Sequence, residues 1–190
     1  MLPKLSEKRS VKFQAADVEP AFVSARRNAL QQLKMVTGIR VSCIGKGRYA
    51  VEVFTDSSAS SNSLGNALTC QDEFRSQQPA LRTERELFEF IDLRDKVYNS
   101  VYSAHTTQYC RYCSGILEAV VNGVDPGGVF FTVFGEGRAT RKLTQFMQDL
   151  QMRTVQHVDG NVRGCCSAQM LVPELVHGFL FKSRASTTAA

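Results

Sequence analysis

No apolar run in this 190-residue chain comes near the roughly 20 residues needed to cross a bilayer; the longest apolar stretch is Val129–Phe134. The N-terminus has no signal-peptide apolar region, and Lys4, Lys8 and Arg9 beside Glu7 make a poor transit peptide. The expectation is a cytosolic protein. Six cysteines, at 43, 70, 110, 113, 165 and 166, are too sparse for a disulfide-stapled small domain and read as reduced thiols. Histidine is scarce too: His105, His157 and His177 are all there is. His157-Val-Asp159 could pair a base with an acid, but no nucleophile-elbow motif accompanies it, which argues against a hydrolase. Gly135-Glu-Gly137 stands between an apolar stretch and a helix, the layout of a phosphate loop. Thr140 occupies the place of the third glycine of a dinucleotide fingerprint, and the Gly-Lys-Ser/Thr of a Walker A loop is missing. A helix-starting turn accounts for it. Zinc-finger, helix-turn-helix and aromatic-stacking signatures are also missing, which makes nucleic acid an unlikely partner.

What is present is an uneven charge distribution. Met1–Arg48 carries 10 Lys/Arg against 3 Asp/Glu (+7), Tyr49–Phe134 carries 6 against 11 (−5), and Gly135–Ala190 carries 7 against 4 (+3). The basic N-terminal part favours anionic partners: lipid headgroups, nucleic acid or an acidic protein surface.

Hydrophobic content of 43% suffices for one sizeable core. Residues 1–17 read as a basic tail, 18–181 as a single domain and 182–190 as a polar tail. Val18–Met35 has helical spacing, with Phe22, Ala25, Ala29, Leu30 and Leu33 on one side, Pro20 in the first turn and Gly38 as the stop. Ile39, Val41 and Cys43, then Tyr49, Val51 and Val53, alternate with other residues around Gly45-Lys46-Gly47, predicting a β-hairpin. A two-stranded hairpin needs a third strand or a covering helix; the third strand is expected near Ala67–Cys70.

Arg82–Tyr102 reads as the central amphipathic helix. Leu87, Phe90, Ile91, Arg94, Val97, Tyr98, Val101 and Tyr102 form its face, and Thr83 with Glu86 forms a capping box. Further helices are predicted over Ser114–Val121, Arg138–Met152 and Met170–Phe181, with a β-like segment at Val129–Phe134. Strands first and helices after is an α+β pattern: a small antiparallel β-sheet of about three strands packed against several helices.

In order and spacing this pattern resembles the phox-homology (PX) domain, a phosphoinositide-binding module, over roughly Ile39–Phe181. Gly47-Arg-Tyr-Ala-Val-Glu-Val-Phe54 is similar to that family's second strand. Arg85-Glu-Leu-Phe-Glu-Phe-Ile-Asp-Leu-Arg-Asp-Lys-Val-Tyr98 is similar to the opening of its first helix. Arg138-Ala-Thr-Arg-Lys-Leu-Thr-Gln-Phe-Met147 and Leu171–Phe181 resemble its two later helices. The resemblance implies a non-enzymatic module without cofactor, cytoplasmic and peripheral on endosomal membranes, which binds phosphoinositide or other anionic lipid headgroups. Arg85, Arg138 and Arg141 are then the lipid-phosphate-binding residues. Two departures bear on this. Glu86 stands where the family places a phosphate-binding basic residue, and a carboxylate repels phosphate. The membrane loop is reduced to Gly123-Val-Asp-Pro-Gly-Gly128, without lysine. A protein-interaction module on the same fold is therefore the alternative.

A third alternative starts from Cys110-Arg-Tyr-Cys113, which has the spacing of half a zinc site. The other half would come from Cys165-Cys166, His105 or His157. Adjacent cysteines make a poor second knuckle, and the sequence by itself assigns no metal.

Overall fold

The computed structural model describes residues 21–56, 78–122, 136–156 and 165–182. The predicted tails, the strand expected at Ala67–Cys70, Pro20, the reduced loop at 123–128, the Val129–Phe134 segment and His157 lie outside the described residues. The order is helix α1 (Ala21–Lys34), strands β1 (Val36–Gly45), β2 (Arg48–Thr55) and β3 (Leu81–Glu86), then helices α2 (Leu87–Ser103) and α3 (Arg111–Leu117). A short π-helical turn (Glu118–Asn122) extends α3, and α4 (Glu136–Gln156) and α5 (Ser167–Phe181) follow. This is the α+β architecture expected: one antiparallel three-stranded sheet, order β1-β2-β3, with helices against it.

The hairpin forms because its alternation matches the strand period and its turn is short. Val41 pairs with Val51 and Gly45 with Arg48, leaving Lys46-Gly47 as a two-residue turn. Gly47 has φ +70°, and nothing lies within 4 Å of where a Cβ would sit. Gly47→Ala is therefore expected to cost only the backbone term, about 1–2 kcal/mol in urea denaturation, with the native fold retained.

The third strand corrects the sequence reading. Arg82–Glu86 is strand rather than the start of the helix: Arg82 pairs with Glu52, Glu84 with Ala50 and Glu86 with Arg48. Its side chains alternate, Thr83 and Arg85 buried, Arg82 and Glu84 exposed. The charges that look like a helix N-terminus lie on the outer face of an edge strand. The helix begins at Leu87, and its capping box is Glu86 with Glu89, the Glu89 carboxylate accepting from the Glu86 amide at 2.7 Å. The buried face of α2 is Phe90, Leu93, Val97 and Val101, whereas Tyr98 and Tyr102 are exposed and stack on each other at 5.8 Å. On α1 the buried face likewise differs from expectation: Val23 and Arg26 point inward and Phe22 is exposed, and the helix gives way to β1 before Gly38.

Both faces of β2 are covered. Tyr49, Val51 and Val53 enter the main core with Phe90, Leu143, Phe146, Val176 and Leu180. On the opposite face, Arg40 donates to Glu52 at 2.8 Å and lies over the Phe54 ring, and Arg82 reaches the same carboxylate at 3.6 Å. The free edge of β1 is met by polar side chains of α4. Thr144 Oγ1 accepts from the Val41 amide at 2.9 Å, and Gln148 Nε2 donates to the Ile39 carbonyl at 2.9 Å. One turn further on, Gln151 Nε2 donates to the Leu33 carbonyl at the end of α1 at 2.8 Å. Edge backbone groups left bare would template pairing with another chain; here side chains occupy two of them.

Candidate functional site

Two places on the fold gather chemistry-bearing side chains. The first is where β3 runs into α2, the position at which the PX resemblance puts a phosphate. Arg85 lies there, but its guanidinium points inward and is 5% exposed. Its Nε and Nη2 donate to the Phe179 carbonyl at 3.1 and 2.7 Å, Nη2 also donates to the Lys182 carbonyl, and the group lies 5.2 Å over the Phe179 ring. Those carbonyls belong to the C-terminal end of α5, where helix carbonyls lack intrahelical partners and the dipole is negative. Arg85 closes that helix end and fastens it to the sheet.

The surrounding clefts are charge-balanced. One is lined by Arg48, Arg82 and Arg85 with Glu84, Glu86 and Glu89, three of each sign. Arg48 is ion-paired with Glu84 and Arg82 with Glu52. The other, about 380 Å³ between α2 and α5, sets Arg85, Lys96 and Lys182 against Glu89, Asp92 and Glu174. Neither includes Arg138 or Arg141, which are exposed on α4, the helix that packs on β1. The three residues expected to hold a lipid phosphate are thus not brought to one pocket.

The second place is a cluster of sulfur and imidazole. Cys110 is the N-cap of α3, Cys113 lies in that helix's first turn, Cys166 is the N-cap of α5, and His105 sits in the link after α2. One ligand atom from each of the four lies within 4.8 Å of the other three. Cys110 Sγ is 3.9 Å and Cys113 Sγ 3.5 Å from Cys166 Sγ, and all three are free thiols. Both N-cap cysteines have extended backbone, and Cys166 makes no side-chain cap hydrogen bond. Serine, threonine, aspartate or asparagine would serve better at a cap, so capping does not explain Cys166. His105 Nε2 is buried and makes no hydrogen bond.

The surroundings drive Cys110 and Cys113 in opposite directions. Burial alone would push Cys110 up, but hydrogen bonds with the Cys113 amide and thiol, Gln169 and the His105 ring outweigh it and hold Cys110 at about 7. Burial, with the neighbouring Cys166 and Cys110 sulfurs, pushes Cys113 well above the usual thiol range.

No family model, curated protein or solved structure matches the chain. An outer layer surrounds the cluster: Gln169 Nε2 donates toward Cys110 Sγ at 3.7 Å, and its backbone carbonyl accepts from Arg26 Nε at 2.9 Å. Arg26, 3% exposed, also reaches Cys165 Sγ at 3.7 Å. The sequence supplied Cys110 and Cys113 as a pair and His105, His157 and Cys165-Cys166 as possible completions, His157 lying outside the described residues. Of the adjacent thiols, Cys166 completes the cluster and Cys165 faces Arg26. Nothing in the sequence marked Arg26 or Gln169, because both act across 59 or more positions of chain. The remaining described histidine, His177, pairs with Gln32 Oε1 at 2.6 Å and stacks on Phe181, away from the cluster.

Proposed function

We propose that this chain is a non-catalytic interaction module built on a PX-like arrangement, and that it recognises protein rather than a phosphoinositide headgroup. The observation that carries this reading is the engagement of Arg85: its donors close the end of α5, so a phosphate at the β3–α2 junction would have to compete with two backbone carbonyls for them. Glu86 and Glu89, tied together as a capping box, present carboxylates at the same junction. Beside it, Leu171 and Leu175, ringed by Lys96, Asn99, Ser100, Glu174 and Lys182, line a groove between α2 and α5, and Leu171 is 49% exposed. The stacked Tyr98 and Tyr102 stand on the outside of α2. Exposed aromatics and an apolar groove with a polar rim are the composition of a protein-binding surface.

No helix among the described residues is long and apolar enough to cross a membrane. A cytoplasmic location belongs to this proposal; contact with a membrane would rest on the basic Met1–Arg48 part, through charge.

Sedimentation of the full chain with liposomes tests it, using a phosphoinositide series against phosphatidylserine at low and near-physiological salt. The expected result is binding that follows total lipid charge and fades with salt, since a Debye length of about 8 Å at physiological ionic strength screens exposed charge. Binding selective for one phosphoinositide that survives salt would overturn the reading and restore Arg85, Arg138 and Arg141 as the site.

A further inference from the structure

We propose that His105, Cys110, Cys113 and Cys166 bind one Zn(II) as a closed, structural, tetrahedral Cys3His centre. The distances carry the argument. With Zn–S bonds of about 2.3 Å, the edge between two sulfurs of a tetrahedron is about 3.8 Å. Cys166 Sγ lies 3.9 Å from Cys110 Sγ and 3.5 Å from Cys113 Sγ, far beyond the roughly 2.05 Å of a disulfide and close to that edge. The four ligand atoms converge from three separate stretches of chain, which random packing of small buried thiols does not require.

Two further observations are independent of the sulfur geometry. His105 Nε2 is a buried nitrogen without a hydrogen bond, a cost in an ordinary core. The cap of α5 is a cysteine, Cys166, that makes no side-chain cap hydrogen bond. The donor set chooses among metals: three soft thiolates and an imidazole in tetrahedral array suit zinc, whereas calcium and magnesium take oxygen ligands.

Charge and surroundings fit as well. A dication with three thiolates and a neutral imidazole carries one net negative charge. The buried Arg26 guanidinium stands one residue away through Gln169, whose side-chain amide points at Cys110. Such outer hydrogen bonds orient ligands and tune the centre. Because four protein groups fill the coordination shell, no position is left for water, and the centre has a holding role. It would pin the link after α2 and the starts of α3 and α5 to one another, close to the α1–α5 contact made by Arg26. The surface groove of α5 would then depend on zinc for its position.

The test uses the full-length chain. Zinc content after purification without added chelator, and titration of the apoprotein with Co(II), are measured for wild type and for Cys166→Ser, His105→Ala, Cys165→Ser and Cys43→Ser. Expected are one zinc per chain and the intense visible bands and sulfur-to-metal charge transfer of tetrahedral thiolate-bound cobalt, unchanged in Cys165→Ser and Cys43→Ser. Cys166→Ser and His105→Ala should bind at least about 100-fold more weakly, since loss of an outer-layer partner already costs 10–100-fold. If Cys166→Ser fails to fold, the wild-type cobalt spectrum still decides. Less than stoichiometric zinc together with an octahedral cobalt spectrum overturns the proposal. Loss of metal in Cys165→Ser overturns the ligand set.

Discussion

Stripping zinc from the full-length chain is expected to lower its unfolding temperature by roughly 5–11 °C. That range corresponds to the ~2.7 kcal/mol supplied by free zinc at about 100 times its dissociation constant and to about 2–4 °C per kcal/mol for a chain of this size. The midpoint should climb again as free zinc is raised, by mass action. Its pH dependence has a definite sign. Thiolates and neutral imidazole are the binding forms, so protons compete, and the zinc-dependent increment should shrink as pH falls. The domain should stay folded at room temperature without metal, unlike an isolated zinc finger. Its core of Phe90, Leu143, Phe146, Val176 and Leu180 is built by sheet and helices, and Cys113 is only one of its many members. Differential scanning calorimetry with buffered zinc at neutral pH and at pH 5 measures both effects. A midpoint indifferent to zinc at neutral pH would remove the structural role.

The second large effect is expected at Arg85. Arg85→Ala should destabilise the fold by about 2–4 kcal/mol, because charge-assisted hydrogen bonds are each worth roughly 1.5–3 kcal/mol and the carbonyls they served are left poorly satisfied. The Phe179 and Lys182 carbonyls lose their cationic partner, and the Phe179 ring loses the guanidinium above it. Arg85→Lys should recover only part of this, since an ammonium cannot reproduce the planar fork that spans both acceptors. The exposed Arg141 offers the contrast: Arg141→Ala should stay within about 0.5 kcal/mol of wild type. Urea denaturation separates the cases. An Arg85→Ala protein as stable as wild type but defective with liposomes would show a ligand-binding arginine instead of a structural one.

The different legibility of these features has physical causes. The β1–β2 hairpin was readable because Val41, Val51 and Val53 obey the two-residue period and the Gly45–Gly47 turn breaks it. The helices from α3 onward were readable from faces such as Leu143, Phe146, Met147 and Leu150. The third strand was not. Arg82-Thr-Glu-Arg-Glu86 is charged, its acids suit a helix N-terminus, and only pairing with an already formed β2 makes it a strand. Local propensity lost to tertiary context, as it does on edge strands.

The same limit applied to the sites. Arg85 stood out in the sequence through the PX resemblance, but whether it faces solvent or the end of α5 depends on a contact 94 positions away. Cys110-x-x-Cys113 was visible as half a metal site. Its completion needed the start of α5 to arrive beside α3, which brings in Cys166 from 53 positions on and leaves Cys165 turned to Arg26. Adjacent cysteines look like a poor knuckle only when both are required to bind. Here one is enough.

X-ray absorption at the zinc edge of the purified full-length protein tests the centre most directly. Three sulfurs at about 2.3 Å and one nitrogen at about 2.0–2.1 Å are the predicted shell. An oxygen- and nitrogen-dominated shell, or no zinc edge at all, would contradict it.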